Sequence, residues 1–535
     1  MTRVRLCLSS TIAGLCLFAL APVAAQANRT QESLFQDDQY LLYSSTTTVN
    51  HTLQTLRSLG VQRVRVSVIW SNIAPHSRSR TRPRNFNAAN PAAYASGAWF
   101  PYDRLVALAA RHHIGVELNI TDPGPLWAMA PNSPTARAAS HWIPNGVDFY
   151  HFTEALGTRY SGTYDSLPRV NVWSIWNEPN QPGWLAPQSR RFHGKEVPNS
   201  PRLYRQYVED AFAGLYFTGH RRDTILIGEL APEGYTTPGF YTAITPMPFL
   251  RALYCLDARY RPLGGMAAAA LDCPTHGPRR AFVRANPALF DATGFGHHPY
   301  YFHYPPGYNS RDPNFVPIAN LGRLEGGLDS ALRTYNVHRR LPLYLTEYGY
   351  GTNPPNPYEV VTPAQQAAYI NQADYIAWRD PRVRSVAQFL LYDSAPNHMY
   401  KRSDRRYWDT FQTGLLTLRG KRKPAYAAYE MPIWIPSTRV RRGSRVFIWG
   451  QLRAASHAVA QRAQIQWRGS SGSRGSRGSR GSRGAFRTIA TVITRNPSGY
   501  LTAKVRLPGP GTIQIAWRSP SGHVLVSRSV SVSVG

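Results

Sequence analysis

The sequence predicts an α/β fold, a (β/α)8 barrel, followed by a small all-β sandwich. Two observations favour this prediction. From about residue 40 to 430, short apolar runs rich in β-branched residues alternate with longer helix-like segments. From about residue 436 onward, short alternating runs are separated by Gly, Pro and Ser turns. Because parallel strands need helical crossovers and antiparallel strands need only turns, the two parts of the 535-residue chain are predicted to differ in topology.

Residues 1–27 have the pattern of a secretory signal peptide. Arg3 and Arg5 precede an apolar run over residues 6–20, and Ala25-Gln26-Ala27 is a small-x-small cleavage site. No later run reaches ~18 uninterrupted apolar residues, so no transmembrane segment is expected. We therefore expect an exported protein, secreted or associated with the cell surface, whose mature chain begins near residue 28.

The barrel is predicted to occupy residues 28–435. Each predicted strand is an apolar run of strand length, and most are preceded by a segment with helical periodicity. The predicted helices include residues 102–112, 148–160, 202–219, 321–335 and 363–379. The eight predicted strands lie at residues 40–43, 63–70, 115–120, 170–176, 224–228, 293–300, 341–347 and 386–393.

Residues 436–535 are predicted to form a basic sandwich of about seven strands, similar to immunoglobulin or fibronectin domains. Residues 471–484 repeat Ser-Arg-Gly and are predicted to be a loop, because they offer no apolar side chain to bury. Residues 436–535 contain no Asp or Glu, and the whole chain has a net charge of +31. We expect it to bind an anionic cell surface or an acidic polysaccharide, or else to cap the barrel. No nucleic-acid module is recognisable, so no specific nucleic-acid partner is expected.

Two of the four cysteines lie within the predicted signal peptide, which leaves Cys255 and Cys273 in the mature chain. An even pair in an oxidising compartment predicts one disulfide that closes a short loop. The sequence has no CxxC pair, HExxH motif or P-loop, and we expect neither a metal nor an organic cofactor.

Polar side chains follow three predicted barrel strands at their carboxyl ends. Glu178 follows strand four, His298 and Tyr300 follow strand six, and Glu347 follows strand seven. The carboxyl ends of barrel strands form the active-site face of this fold. Two glutamates facing one cavity are what glycosidic cleavage requires, since one carboxyl group must be protonated and the other ionised.

The motifs Ile175-Trp176-Asn177-Glu178-Pro179-Asn180 and Leu345-Thr346-Glu347-Tyr348-Gly349 resemble those of the retaining glycoside hydrolases of clan A. The resemblance covers about residues 38–432 and is greatest to families 39 and 5. It implies that Glu178 is the general acid/base and Glu347 the nucleophile. It further implies that Asn177 binds the sugar 2-hydroxyl, that Tyr300 of the His298-x-Tyr300 pattern supports the nucleophile, and that Arg65 keeps the nucleophile ionised. Tyr348 is a candidate substrate contact.

The chain also departs from that family pattern. It has no histidine near the end of strand three and no tryptophan closing strand eight, as many family 5 members do, so a cellulase is not indicated. Four tryptophans in the loops after strands are candidate platforms for stacking a sugar, or else loop packing: Trp70, Trp127, Trp184 and Trp408. Glu117 and Glu229 are expected to lie behind the catalytic pair.

Together these features predict a secreted retaining glycosidase that cleaves an oligo- or polysaccharide, with β-linked substrates favoured. Two alternatives remain open. One is a non-catalytic carbohydrate-binding or cell-envelope protein on a glycosidase scaffold. The other is a transglycosylase, which uses the same residues and differs in how well water competes with an acceptor sugar.

Overall fold

The computed structural model describes residues 27–136, 138–237, 239–455, 459–470, 484–519 and 522–535. Two predicted segments fall outside these ranges. They are the signal peptide, except for Ala27, and the Ser-Arg-Gly loop, except for Gly484.

Eight parallel strands close into a barrel, which confirms the predicted fold class. Each strand pairs with its neighbours in chain order, and the last strand pairs with the first. The strands are β1 (Glu32–Gln36), β2 (Arg63–Ile69), β3 (Gly115–Thr121), β4 (Val172–Ile175), β5 (Thr224–Leu230), β6 (Gly294–His297), β7 (Leu343–Leu345) and β8 (Val383–Phe389).

The first predicted strand was wrong. Residues 40 and 41 belong to a short helix that begins at Asp38, and the strand lies earlier, at Glu32–Gln36. The side chain of Asp37 accepts a hydrogen bond from the backbone N–H of Tyr40, a helix cap that ends the strand and starts the helix. The apolar pair Leu41-Leu42 is buried from a helix rather than a strand.

Helices surround the barrel strands. The helix before β8 begins with a capping box, in which Thr362 and Gln365 each accept a hydrogen bond from the other's backbone N–H. Short 3₁₀ turns lie at Pro91–Ala93, Leu126–Ala128, Ala139–His141, Ile318–Asn320 and Arg405–Trp408. The helices are α1 (Asp38–Leu41), α2 (Thr46–Ser58), α3 (Trp70–Ile73), α4 (Ser96–Arg111), α5 (Gly146–Arg159), α6 (Ser200–Phe217), α7 (Pro246–Leu253), α8 (Gly265–Ala269), α9 (Arg279–Ala285), α10 (Pro287–Asp291), α11 (Leu321–Thr334), α12 (Pro363–Arg379) and α13 (Pro424–Glu430).

Two additions interrupt the βα pattern. A hairpin of Ser189–Phe192 and Lys195–Pro198 lies between β4 and α6. A longer insertion between β5 and β6 contains the disulfide between Cys255 and Cys273, as the cysteine pattern predicted. The guanidinium of Arg205, on α6, donates to Sγ of Cys255 and to the backbone oxygen of Leu253, so this loop is held against the barrel.

The C-terminal part consists of mainly antiparallel sheets around a second apolar core that begins at Met431. One sheet has the order β9-β11-β14, and the other β10-β17-β15-β12-β13, with β16 beside β15. The strands are β9 (Ile433–Trp434), β10 (Arg439–Val440), β11 (Arg445–Gln451), β12 (Gln461–Gly469), β13 (Arg487–Thr494), β14 (Tyr500–Arg506), β15 (Gly511–Arg518), β16 (Val524–Val526) and β17 (Val530–Val534).

Arg453 joins the two parts of the chain. Its buried guanidinium donates to Asp374 on α12 at 2.7 Å, to Ser33 on β1 at 2.6 Å and to the backbone oxygen of Tyr429 at 2.8 Å. Ser33 lies at the start of β1, so the C-terminal sheets dock at the end of the barrel opposite the strands' carboxyl ends. Within the described residues, no helix combines the length and the apolar character needed to cross a membrane.

Candidate functional site

A cleft of about 420 Å³ opens at the carboxyl ends of the barrel strands. Glu178 after β4 and Glu347 after β7 both line it. Their side chains are 19% and 11% exposed, so each carboxylate is largely enclosed and still reachable from the cleft. Closure of the barrel brings together two residues that are 169 positions apart in the chain.

The backbone that carries Glu178 is turned sharply. Trp176 and Glu178 have φ angles of 69° and 39°, a left-handed conformation that side chains other than glycine rarely adopt. The turn is held by hydrogen bonds from the N–H of Trp176 to Ile120 and from the N–H of Glu178 to Glu229. Strain of this kind, fixed by the surrounding structure, is typical of functional sites.

The two glutamates are close together. One oxygen of Glu178, one oxygen of Glu347 and a ring nitrogen of His298 all lie within 4.8 Å of one another. Retaining glycosidases hold their carboxyl groups about 5–5.5 Å apart, whereas inverting enzymes leave about 6.5–9.5 Å for a water molecule. The spacing here is therefore closer to the range of retaining enzymes than to that of inverting enzymes.

Arg65, on β2, is fully buried beneath the cleft and contacts the site from below. It donates to Glu347 at 2.7 Å, to Glu229 at 2.8 Å and to Oδ1 of Asn177 at 2.9 Å. Burial lowers the pKa of Arg65, but the carboxylates of Glu229 and Glu347 outweigh burial and raise it, so the guanidinium stays charged. Its charge therefore lies directly against one oxygen of Glu347.

His298 lies between three carboxylates. Nδ1 is 2.9 Å from Glu178 and 3.7 Å from Glu347, and Nε2 is 3.1 Å from Glu229. Burial lowers the pKa of His298, but these carboxylates outweigh it and raise the pKa to about 10. An imidazole with both nitrogens facing carboxylates has to carry two protons to donate to both.

The neighbouring His297 points away from the cleft, as strand alternation predicts. Its Nε2 contacts the backbone oxygen of Val316 at 2.7 Å, and burial lowers its pKa to about 4. The ligand atoms of Glu178, His298 and Glu347 are close enough for a metal ion. A coordinating histidine nitrogen has to be deprotonated, however, and both nitrogens of His298 are placed to donate.

Tyr300 and Asn177 complete the predicted set around the glutamates. The Tyr300 hydroxyl donates to Oε2 of Glu347 at 3.3 Å, and burial together with Glu347 raises its pKa well above the usual range. Asn177 lines the cleft and is oriented by Arg65 through its oxygen. Its amide nitrogen is therefore the group left for a ligand.

The aromatic residues predicted from the sequence divide into two groups. Trp184 lines the cleft. Trp70 is 1% exposed and packs against Trp127 and Phe152, so its predicted role as a platform is wrong.

Three more predicted contacts lie outside the lining of the cleft. Trp127 is half-buried and donates to the backbone oxygen of Pro75. Trp408 is 7% exposed and lines separate depressions beside the cleft. Tyr348 is 2% exposed and stacks on Tyr300. These side chains pack the walls and do not present a free face to the cleft.

Other lining residues were not predicted. Gln36 was missed because the first strand was predicted at residues 40–43 instead of Glu32–Gln36. The sequence did hold a signal, since Gln36 is the first polar residue after the apolar pair Leu34-Phe35. Asp38 accepts a hydrogen bond from the backbone N–H of Ser67, and burial raises the pKa of Asp38 to about 7. The remaining residues missed by the sequence reasoning are Gln39, Ser67, Gln181, Ala231, Pro232, Glu233, Phe302, Phe389, Leu390 and Phe411.

No protein-family model matches the sequence, and no curated protein sequence matches it. Solved structures with a similar fold include a GH5_18 from Bifidobacterium longum subsp. infantis, with 15% identity and a TM-score of 0.43 over 75% of this chain and 78% of that one. A GH5_18 from Streptomyces cattleya, solved in complex with GlcNAc, shares 15% identity with a TM-score of 0.41 over 76% and 79%. A family 1 β-glucosidase from Thermotoga maritima shares 14% identity with a TM-score of 0.44 over 72% and 85%. At this level of similarity, residue roles and substrates do not transfer to this chain.

Proposed function

We propose that the protein is a retaining glycosidase that cleaves β-linked O-glycosides. The observation that carries the proposal is the distance between Glu178 and Glu347, whose nearest oxygens lie within 4.8 Å. That spacing suits a direct attack of one carboxylate on the sugar and lies below the separation that inverting enzymes use. Arg65 donates to one oxygen of Glu347 at 2.7 Å and thereby holds the carboxylate in place for the attack.

The reaction proceeds in two displacements. Glu347 attacks the anomeric carbon while the bond to the leaving oxygen breaks, and Glu178 transfers its proton to that oxygen. A water molecule then attacks the same carbon, the bond to Glu347 breaks, and Glu178 takes up the water proton. Asn177 binds the sugar 2-hydroxyl through its amide nitrogen, and Trp184 with Phe411 provides apolar faces for the sugar ring.

The test is turnover of aryl β-glycosides by wild type and by Glu347→Gln. We expect Glu347→Gln to lose at least about 10³-fold in kcat/KM, because the amide cannot form the glycosyl intermediate assigned to Glu347. Glu154→Gln, on the outer helix α5, is the matched control and should keep wild-type activity. Proton NMR of the first product should show retention of configuration, and inversion would overturn the proposal.

The alternative functions predict other results. A carbohydrate-binding protein would bind oligosaccharides with no turnover in wild type. A transglycosylase would form longer products at the expense of hydrolysis when an acceptor sugar is added. We expect hydrolysis to dominate at millimolar acceptor, and chromatography of the products measures the ratio.

We also propose that the protein is exported and that its C-terminal sheets bind an acidic polysaccharide. Residues 436–535 contain 16 Arg and one Lys but no Asp or Glu. The outward side of β12 presents Arg462, Gln464 and Gln466, and with Arg518 they line a depression of about 500 Å³. Amide and guanidinium groups on one face suit the hydroxyl and carboxylate groups of a uronic-acid polymer.

Binding of polygalacturonate to the full chain tests this surface. The Arg462→Gln/Arg518→Gln variant should bind at least fivefold more weakly than wild type, and binding should weaken between 50 and 300 mM NaCl. The control is Arg57→Gln/Arg111→Gln, which removes two exposed charges from the barrel helices. Equal binding by both variants would show that the depression is not the site, and binding independent of salt would contradict an electrostatic partner. The export proposal is tested by the mature N-terminus, which mass spectrometry should place near Asn28.

A further inference from the structure

Glu229 enters the barrel interior through an irregularity in β5. The pairing of β5 with β6 shifts register between Gly228 and Leu230, which leaves Glu229 as the extra residue. Gly228 and Glu229 have φ angles of 102° and 50°, both in the left-handed region. A bulge of this kind redirects a side chain, and here it buries a carboxylate completely.

The buried carboxylate has three donors on one oxygen. Oε2 of Glu229 accepts from Arg65 at 2.8 Å, from the Thr346 hydroxyl at 2.9 Å and from Nε2 of His298 at 3.1 Å. These donors come from β2, from the end of β7 and from the end of β6. Burial raises the pKa of Glu229, but Arg65 and His298 outweigh burial and lower it, so the group stays ionised.

The space for this carboxylate is provided by a glycine. A Cβ atom added to Gly296, on β6, would lie 1.7 Å from Oε1 of Glu229. Any side chain at position 296 would therefore displace Glu229. The backbone oxygen of Glu229 also accepts a hydrogen bond from the N–H of Glu178 at 2.9 Å. Glu229 therefore contacts both Glu178 and His298.

We propose that Glu229 is a positioning residue that holds Nε2–H of His298 and thereby aims Nδ1–H at Glu178 for the second displacement of the proposed glycosidase reaction. The inference rests on the proposed function. While the sugar is bonded to Glu347, that carboxylate carries no charge, and the anions left around His298 are Glu178 and Glu229. The Nδ1–H bond then stabilises the ionised form of Glu178, which is the form that accepts the proton of the attacking water.

Other charged groups face this pair from each neighbouring strand. Arg65 lies on β2, Glu117 on β3, and Glu178 and Glu347 follow β4 and β7. Burial and the nearby Glu229 raise the pKa of Glu117 to about 7. Removal of the charge at position 229 therefore lowers the pKa of both His298 and Glu117. His298 loses an anion that favours its proton, and Glu117 loses an anion that opposes its ionisation.

The test is the Glu229→Gln variant with an aryl glycoside of a strongly acidic phenol, for which the first displacement needs little acid catalysis. We expect kcat to fall at least 10-fold, because the second displacement limits it, and kcat/KM to fall less than fivefold. KM should fall accordingly as the glycosyl intermediate accumulates. A merely structural role would lower both parameters together. The basic limb of the kcat profile should also move to lower pH by about one unit.

Two further variants separate positioning from folding. Gly296→Ala should also lower kcat much more than kcat/KM, because the added Cβ displaces Glu229. Gly322→Ala is the control and should behave as wild type, because the space around Gly322 is open. Glu209→Gln removes a half-buried carboxylate outside the site and should leave the pH profile unchanged.

The histidine signal gives a readout that does not depend on turnover. In a ¹⁵N NMR pH titration, the His298 ring of Glu229→Gln should change from imidazolium to the neutral form at lower pH than in wild type. If wild type hydrolyses no glycoside but the NMR difference is seen, the proposed function fails while the link between Glu229 and His298 stands. If wild type is active and Glu229→Gln has the same kcat, the same KM and the same histidine signal as wild type, the inference is overturned.

Discussion

Arg65 donates a hydrogen bond to Oε1 of Glu347 at 2.7 Å, although the two residues are 282 positions apart in the chain. β2 and the end of β7 lie on different parts of the barrel wall, and the interior is narrow enough for one guanidinium to reach across it. The same guanidinium contacts Gln36, Asn177 and Glu229. One buried cation therefore sets the position of Glu347 relative to the other wall residues.

Arg65→Lys should lower kcat/KM by about 100-fold, because a lysine cannot make the forked set of bonds and Glu347 shifts from its position. Arg65→Gln should also destabilise the fold by about 3–5 kcal/mol, because buried carboxylates lose their charge partner. Aryl glycoside kinetics and urea unfolding measure the two effects. Arg57→Lys, on the surface of α2, is the control, and a loss of similar size there would contradict the assignment.

Trp184→Ala should raise KM about 10-fold, which corresponds to ~1.4 kcal/mol of binding, with kcat changed much less. The reason is that Trp184 lines the cleft and offers a ring face to the sugar. Trp127→Ala is the contrasting variant, since its ring packs on Trp70 and Phe86. It should lower the free energy of unfolding by about 3 kcal/mol and leave KM unchanged. If Trp127→Ala raised KM and Trp184→Ala lowered only the stability, Trp127 rather than Trp184 would be the ring that contacts the sugar.

Stability should depend on pH through His298. The folded pKa of about 10 lies above the ordinary value of 6.5 because the surrounding carboxylates outweigh burial. The stabilisation is therefore fully present below pH 6.5 and is lost as the pH rises towards 10. Over that window, the free energy of unfolding of wild type should fall relative to His298→Asn by up to about 1.4 kcal/mol per pH unit. Parallel curves for the two proteins in urea unfolding would refute this prediction.

Arg453→Gln should destabilise the protein by about 3–5 kcal/mol, because Asp374 is left buried without its cation. Arg445→Gln, an exposed arginine in the same part of the chain, should change stability by less than about 0.5 kcal/mol. Chemical unfolding followed by tryptophan fluorescence measures both. Because the junction lies at the far end of the barrel, KM for an aryl glycoside should stay unchanged in folded Arg453→Gln.

The sequence predicted the residues at the carboxyl ends of strands, and it did so for a physical reason. A parallel barrel strand is buried on both faces, so it is a continuous apolar run, and the first polar residue after it marks the active-site face. Glu178, His298 and Glu347 were found in this way. Gln36 and Asp38 were missed because an apolar helical pair at residues 41–42 was interpreted as the strand, and short apolar runs do not distinguish the two.

The sequence by itself determined the barrel class, the cysteine pair that forms the disulfide, and the candidate glutamates, because each depends on local patterns or on residue type. Only the tertiary structure decided which aromatic rings face the cleft, since exposure depends on neighbours such as Phe152 beside Trp70. It also decided the place of Glu229. A bulge of one residue turns that side chain inward and Gly296 leaves room for it, and such an irregularity leaves no periodic signal along the chain.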